Sequence, residues 1–206
     1  VFGVAIATVI LPSLSRQHAA ENAETFNRTL NWALRMILLI ALPASLALLL
    51  LAEPILFTLF GYGKMTVLDV KMSGLSLRAY ALGLTAFMLI KVLAPAFYAR
   101  KDMKTPVKIG VIAMVANMLL NLAFVMPLYY YFNIGHVGLA LATSVAAFLN
   151  AGLLYRGLSK QQVFSPLKGW WQHWLSLVLA CGAMAAVLLV GLNYLTGWLD
   201  WLWWWR

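Results

Sequence analysis

The chain has 206 residues, 64% hydrophobic and 10% charged, with a net charge of +9 and a mean hydropathy of +0.86. A soluble domain carries about 25% charged residues, so the composition excludes a water-soluble globule and points to an all-α, polytopic membrane protein. The lone Cys181 excludes a disulfide framework and a cysteine metal site.

A transmembrane barrel needs alternating segments of about 10 residues with turn signals, and the pattern here is different. Apolar runs of about 20 residues recur, long enough to cross a hydrocarbon core of about 30 Å. The first run, Val1 to Leu14, ends at Pro12-Ser13 and is too short to span. With no initiator Met and an abrupt end at Trp203-Trp204-Trp205-Arg206, it gives the expectation of a fragment that starts inside a helix. The polar stretch from Ser15 to about Asn31 holds Arg16, Glu21, Glu24 and Arg28. Its Glu–Arg spacing suits an amphipathic helix on the membrane surface.

The second span is expected from about Trp32 to Phe60, with Pro43 and Pro54 inside it and Gly61-Tyr62-Gly63 ending it. A loop with Lys64, Asp69 and Lys71 leads to a third span, about Leu75 to Tyr98. A basic turn with Arg100, Lys101 and Lys104 follows, and a fourth span runs from about Pro106 to Tyr131, with Thr105 as N-cap and Pro106 at the first helical position. The fifth covers about Val137 to Tyr155, where Gly138, Ala142 and Ala146 have the small-xxx-small spacing of close helix packing. The sixth runs from about Trp170 to Leu195, and Trp198 to Trp205 read as an interfacial aromatic cluster.

Cations orient the spans. Arg16, Arg28, Arg35, Arg100, Lys101, Lys104, Lys108, Arg156, Lys160 and Lys168 fall on one side; Lys64, Lys71, Arg78 and Arg206 fall on the other, with Lys91 between. The first group marks the cytoplasmic side, and no nucleic-acid partner is needed to explain the charge.

Several stretches stand out: Gly3-Val-Ala-Ile-Ala-Thr-Val-Ile-Leu-Pro-Ser-Leu-Ser-Arg16, Lys91-Val-Leu-Ala-Pro-Ala-Phe-Tyr-Ala-Arg100 with Lys104-Thr-Pro-Val-Lys108, Asn121-Leu-Ala-Phe-Val-Met-Pro-Leu128, and Leu153-Leu-Tyr155. They resemble the MurJ/MviN family of lipid II flippases. The resemblance implies a MATE-like fold of the multidrug/oligosaccharidyl-lipid/polysaccharide exporter superfamily, with two lobes and two extra helices. Residues 1–167 would be most of the second lobe, five spans with the first truncated. Residues 168–206 would be the first extra helix plus an interfacial aromatic segment. The resemblance also implies transport of lipid-linked peptidoglycan precursor (lipid II) across the bacterial inner membrane by alternating access. Lipid II, membrane lipids and the first lobe of the same chain would be the partners, with no cofactor. The family's extra helices form a groove suited to a polyprenyl tail, and its best-known arginines lie outside this chain.

Within the chain, Lys91 is the sharpest candidate for substrate binding, because an ionisable group deep in a span faces a cavity or a partner and a cation attracts a diphosphate. The alternative is snorkelling to the cytoplasmic interface or pairing within the lobe. Arg35 can meet substrate at the cavity mouth or serve as a positive-inside anchor. Asn117 and Asn121 share one helix face and can bind sugar or peptide groups or bond between helices. Pro43, Pro54, Pro95 and Pro127 are hinge candidates, with Pro106 structural; static kinks are the competing reading. Glu53 is a weak ion-coupling candidate near the outer interface. No catalytic residue or metal site is expected: His18, His136 and His173 lie apart, and the six acids are scattered. A related exporter of polysaccharide-linked lipids or drugs would share the fold, and fold alone does not separate these substrates.

Overall fold

Six helices follow one another in the computed structural model, which describes residues 2–61, 66–132, 134–167 and 169–194. They are α1 (Phe2–Ala19), α2 (Ala23–Phe60), α3 (Val67–Tyr98), α4 (Lys104–Phe132), α5 (Gly135–Lys160) and α6 (Trp170–Tyr194). All but α1 are long and apolar enough to cross a membrane. Lys64, Lys168, Arg206, the turn residues Tyr62, Gly63 and Asn133, and the aromatic segment Trp198–Trp205 lie outside the described residues.

The separate surface helix expected between Ser15 and Asn31 does not form. Instead α1 continues through Pro12 to Ala19, α2 begins at Ala23, and three residues connect them. The pattern was amphipathic, but it belongs to the two arms of a helical hairpin. Leu14, Phe26 and Leu30 point into the core, while Glu24 and Arg28 pair at 3.2 Å in solvent. Asn22 starts α2 by accepting a hydrogen bond from Thr25 N–H at 3.0 Å. At 38 residues, α2 is about 57 Å long, nearly twice the hydrocarbon thickness.

Two other helix starts also differ from expectation. α3 begins at Val67 rather than Leu75, because Thr66 and Asp69 form a reciprocal capping box that absorbs the expected loop. α4 begins at Lys104, and the cap is Asp102, whose carboxylate accepts from the N–H and the hydroxyl of Thr105 at 3.0 and 2.7 Å. Thr105 is thus the capped residue. Pro106 sits in the first turn, where its missing N–H leaves nothing unpaired.

The connections α1–α2, α3–α4 and α5–α6 gather at one end, with the described cations Arg16, Arg28, Arg35, Arg100, Lys101, Lys104, Lys108, Arg156 and Lys160. Lys71 and Arg78 belong to the opposite half. Each inward-running helix stops in the same way. Asn22, Asp102 and Val163 N–H reach back to the carbonyls of Gln17, Phe97 and Leu158, and Glu21, Lys101 and Gln162 hold positive φ of 53°, 60° and 55°. These are Schellman turns with a non-glycine residue at the left-handed position.

The largest apolar core lies at this basic end. Leu14, Leu30, Ile37, Leu93, Phe97, Leu154 and Leu158 are its largest fully buried side chains. Toward the other end contacts are made by small residues: Ala79, Val137 and Ala140 in one cluster, Ala86, Ala147 and Ala151 in another. α3 is the central helix, packed against α1, α2 and α5, while α4 lies outside against α5. A Cβ on Gly83 would come within 2.6–2.8 Å of Ser144 in α5, and one on Gly138 within 2.9–3.0 Å of the Phe124–Val125 backbone in α4. Gly138, Ala142 and Ala146 are all buried, as their spacing implies. The exposed faces of α4 and α6 are apolar, Val111, Met118 and Leu122 on one, Val178 and Val187 on the other, as lipid-facing or interlobe surfaces are.

Gly83→Ala is expected to lower the stability of the full-length protein by about 1–3 kcal/mol, read from thermal unfolding in detergent. Gly152→Ala, where an added Cβ meets nothing within 4 Å, is expected to cost nothing. The hydrogen bonds from the Thr105 hydroxyl and then its N–H hold the Asp102 carboxyl below its ordinary range. A depressed carboxyl stabilises the fold above its unfolded pKa and loses that contribution as pH falls through the folded value. The melting-temperature gap between wild type and Asp102→Ala should therefore be full at neutral pH and shrink below about pH 4.

Candidate functional site

The most elaborate polar cluster ties α6 to α2. Asn31, 1% exposed, donates through Nδ2 to the carbonyls of Asn27 (2.9 Å) and Ser165 (3.0 Å) and to Asn27 Oδ1 (2.9 Å). Its Oδ1 accepts from Leu167 N–H at 3.3 Å and from Trp170 Nε1 at 2.8 Å. Asn27 adds a bond from its Nδ2 to Ser165 Oγ and one from Ser165 N–H to its Oδ1. The chain between α5 and α6 is non-helical over 163–167, and these side chains satisfy its backbone as a helix partner would. With the Trp170 indole fixed at one edge, its face carries the Arg35 guanidinium, 5.3 Å from the ring centroid.

Next to this latch, a cavity of about 700 Å³ runs along α3. Leu82, Thr85, Leu89 and Leu93 form its floor; Leu34, Leu38, Leu42 and Ser45 of α2 and Phe148, Gly152 and Tyr155 of α5 form its walls; Phe164, Pro166, Trp170 and Trp174 close its basic end. A helix threonine ordinarily bonds a carbonyl one turn back. Here the Ser45 hydroxyl takes the Ala81 carbonyl, and the Thr85 hydroxyl makes no hydrogen bond among the described residues.

Lys91 lies across α3 from this cavity. Its stem passes α1 at Gly3, where a Cβ would stand 3.5 Å from Lys91 Cγ, in ordinary contact. Lys91 is exposed on the lobe surface, seven residues or about 10 Å of helix from the last residue of α3. It makes no hydrogen bond or ion pair among the described residues. An ammonium placed so can take an anionic group from outside the lobe. Asn117 and Asn121 stand elsewhere, half-buried on α4, each with an enclosed Oδ1 that has no partner among the described residues. The four residues expected to meet substrate therefore fall in three places: Lys91 beside α1, Arg35 beside α6, and the two asparagines on α4. Pro43, Pro54, Pro95 and Pro127 all sit inside continuous helices.

A sequence profile described as "Lipid II flippase MurJ" matches residues 1–202. The chain belongs to the MurJ family. MurJ relatives include the "Probable lipid II flippase MurJ" of Vibrio cholerae serotype O1, 47% identical over 97% of this chain and 37% of that protein. The "Lipid II flippase MurJ" of Burkholderia cenocepacia is 42% identical over 93% of this chain and 35% of that protein. A solved structure titled "Lipid II flippase MurJ, inward closed conformation" matches with a TM-score of 0.76 at 27% identity, covering 93% of this chain and 37% of that one. The chain thus spans little more than a third of the length of the MurJ proteins it matches.

Two features of this MurJ-family chain escape a sequence reading. Asn31 reads as one more polar residue at the end of a surface stretch, and only the fold brings 165–170 to it. Arg78, expected among the outer-side cations, lies about three turns inside α3 and pairs with Glu53 of α2 at 3.1 Å, donating also to the Leu49 carbonyl at 3.2 Å. Opposite charges on neighbouring spans were the available signal. Asn31→Ala strands buried donors and acceptors, so about 2–3 kcal/mol of stability should be lost, with faster limited proteolysis between α5 and α6. Trp170→Phe, which removes one donor and keeps a ring, should cost less in both assays.

Proposed function

We propose that this chain is part of a flippase that carries lipid-linked peptidoglycan precursor, lipid II, across the bacterial inner membrane for cell-wall synthesis. The profile match over residues 1–202 carries this reading. In it, residues 1–167 form most of the second lobe, and residues 168–206 supply the first extra helix, which the Asn31 latch joins to the lobe. The first lobe completes the cavity, and transport proceeds by alternating access, with no covalent chemistry asked of the protein.

Lys91 is the residue on which the binding role rests. A cation within a span, with no partner among the described residues, is costly unless it faces water, an anion or a second surface. The diphosphate of a lipid-linked sugar supplies that anion. The stretch from Gly3 past Lys91 then forms one wall of the path, and Pro43 and Pro95 allow α2 and α3 to bend as the lobes rock. Asn117 and Asn121 offer amide groups to a sugar or peptide only if substrate reaches α4, and they contribute separately from Lys91.

The test uses the full-length protein in cells depleted of their own flippase, with outer-leaflet lipid II measured at matched expression. Wild type should restore exposure, Lys91→Ala should lower it by about tenfold or more, and Lys91→Arg should recover part of the loss. A wild type that fails to restore exposure removes the lipid II assignment. Full restoration by Lys91→Ala leaves the family reading and returns Lys91 to a structural role.

A further inference from the structure

We infer that the recess between the outer ends of α3 and α5 is a sugar-binding station, which takes the hydroxyl-rich part of the lipid-linked headgroup. This deepens the lipid II reading and rests on it. The recess has a volume of about 560 Å³, within the range of small-ligand sites. Asp69, Ser73, Ser76 and Tyr80 of α3 line it together with His136, in the first turn of α5. It lies at the end of the chain opposite the basic connections, which is the outer side.

Each of these groups keeps hydrogen-bonding capacity that its neighbours leave unused. A helix serine commonly bonds a carbonyl one turn back, yet the hydroxyls of Ser73, Ser76 and Tyr80 make no hydrogen bond among the described residues. Asp69 holds the N–H and the hydroxyl of Thr66 through Oδ2 at 2.8 and 2.7 Å; its Oδ1 makes no hydrogen bond among the described residues. His136 donates through Nε2 to the Met72 carbonyl at 3.2 Å, so the neutral ring offers Nδ1 as an acceptor. Hydroxyls that both donate and accept, beside two acceptors, match a ligand built of hydroxyl groups. Among the described residues the lining holds no lysine or arginine, so a phosphate finds no cation here. An acyl chain would desolvate the five polar groups without pairing them. Met72, Leu77 and the Tyr80 ring supply apolar surface for the C–H face of a sugar.

Helix register connects the recess to Lys91. Tyr80 and Ser73 precede Lys91 by eleven and eighteen residues, about three and five turns, so all three project from one face of α3. Tyr80, Phe87 and Lys91 are exposed along it. Tyr80 stands about 16 Å outward of Lys91. A headgroup whose diphosphate lies at Lys91 therefore has the recess ahead of it on the same surface, in the direction of transport.

Purified full-length protein would be titrated with lipid II, with lipid II stripped of its peptide, and with undecaprenyl diphosphate, bound lipid being read by native mass spectrometry. The combined variant Ser73→Ala, Tyr80→Phe should weaken the two sugar-bearing lipids by about tenfold and leave undecaprenyl diphosphate unchanged, at an unchanged melting temperature. Lys91→Ala should weaken all three. Equal binding of the peptide-free lipid by wild type and the combined variant overturns the inference; if complete lipid II alone is weakened, the recess belongs to the peptide. In cells, Ser73→Cys in a cysteine-free background should react with a membrane-impermeant maleimide added outside. No reaction means that another part of the full-length protein fills the recess, which overturns the inference equally. A wild type that binds none of the three lipids removes the lipid II reading itself and this inference with it.

Discussion

In hydrocarbon, helices gain nothing by expelling water from between them, so the lobe depends on how closely its backbones approach α3. Small residues make that approach possible. Gly83 brings α3 against Ser144 of α5, and the Ser144 hydroxyl then donates to the Ala79 carbonyl at 2.6 Å. Ser45 of α2 reaches the Ala81 carbonyl on the adjoining face. Arg78 bonds the Leu49 carbonyl of α2 and pairs with Glu53. One central helix is thus tied to two neighbours through its own carbonyls, within two turns of its length. That arrangement needs glycine, alanine and serine where a soluble core would place leucine.

The basic end is built by other means. There the core is formed by large side chains, Leu14, Leu93, Phe97 and Leu158 among them, and three Schellman turns redirect the chain in a few residues. The Asn31 latch adds the α5–α6 connection to the same end. Side-chain interlocking and dense hydrogen bonding concentrate here, while α4 and α6 present long apolar faces outward. Of the prolines inside α2 and α3, Pro43 and Pro54 lie farther along, while Pro95 sits at the basic end beside Phe97.

α3 also separates two kinds of chemistry. One face carries Lys91 beside α1, an exposed cation with no partner among the described residues. The other carries an apolar cavity whose basic end is closed by Trp170, the ring on which Arg35 stacks. Arg35 and Lys91 are both cations nearer the same end of the chain's spans, yet the fold sets a helix between them. Asn117 and Asn121, on a helix that packs almost entirely against α5, belong to neither place.

Much of this was legible in the residues alone. Twenty-residue apolar runs, cations concentrated on alternate connections, and the Lys91–Lys108 stretch gave the all-α class, the orientation and the family resemblance that the profile match bears out. These are local properties: hydropathy, charge and motif act over one helix or one turn, and the bilayer reads them one span at a time. The helix starts at Val67 and Lys104 were misplaced because caps depend on which carboxylate closes on which N–H. The hairpin at Ala20–Asn22 was read as a surface helix because an amphipathic pattern does not say what its apolar side will meet. The pairing of Asn31 with Ser165 and Trp170, of Glu53 with Arg78, and the division of Arg35 from Lys91 by α3 were decided only by tertiary structure. Each joins residues on different helices, and in a membrane that choice is made by which small residues let which backbones come together.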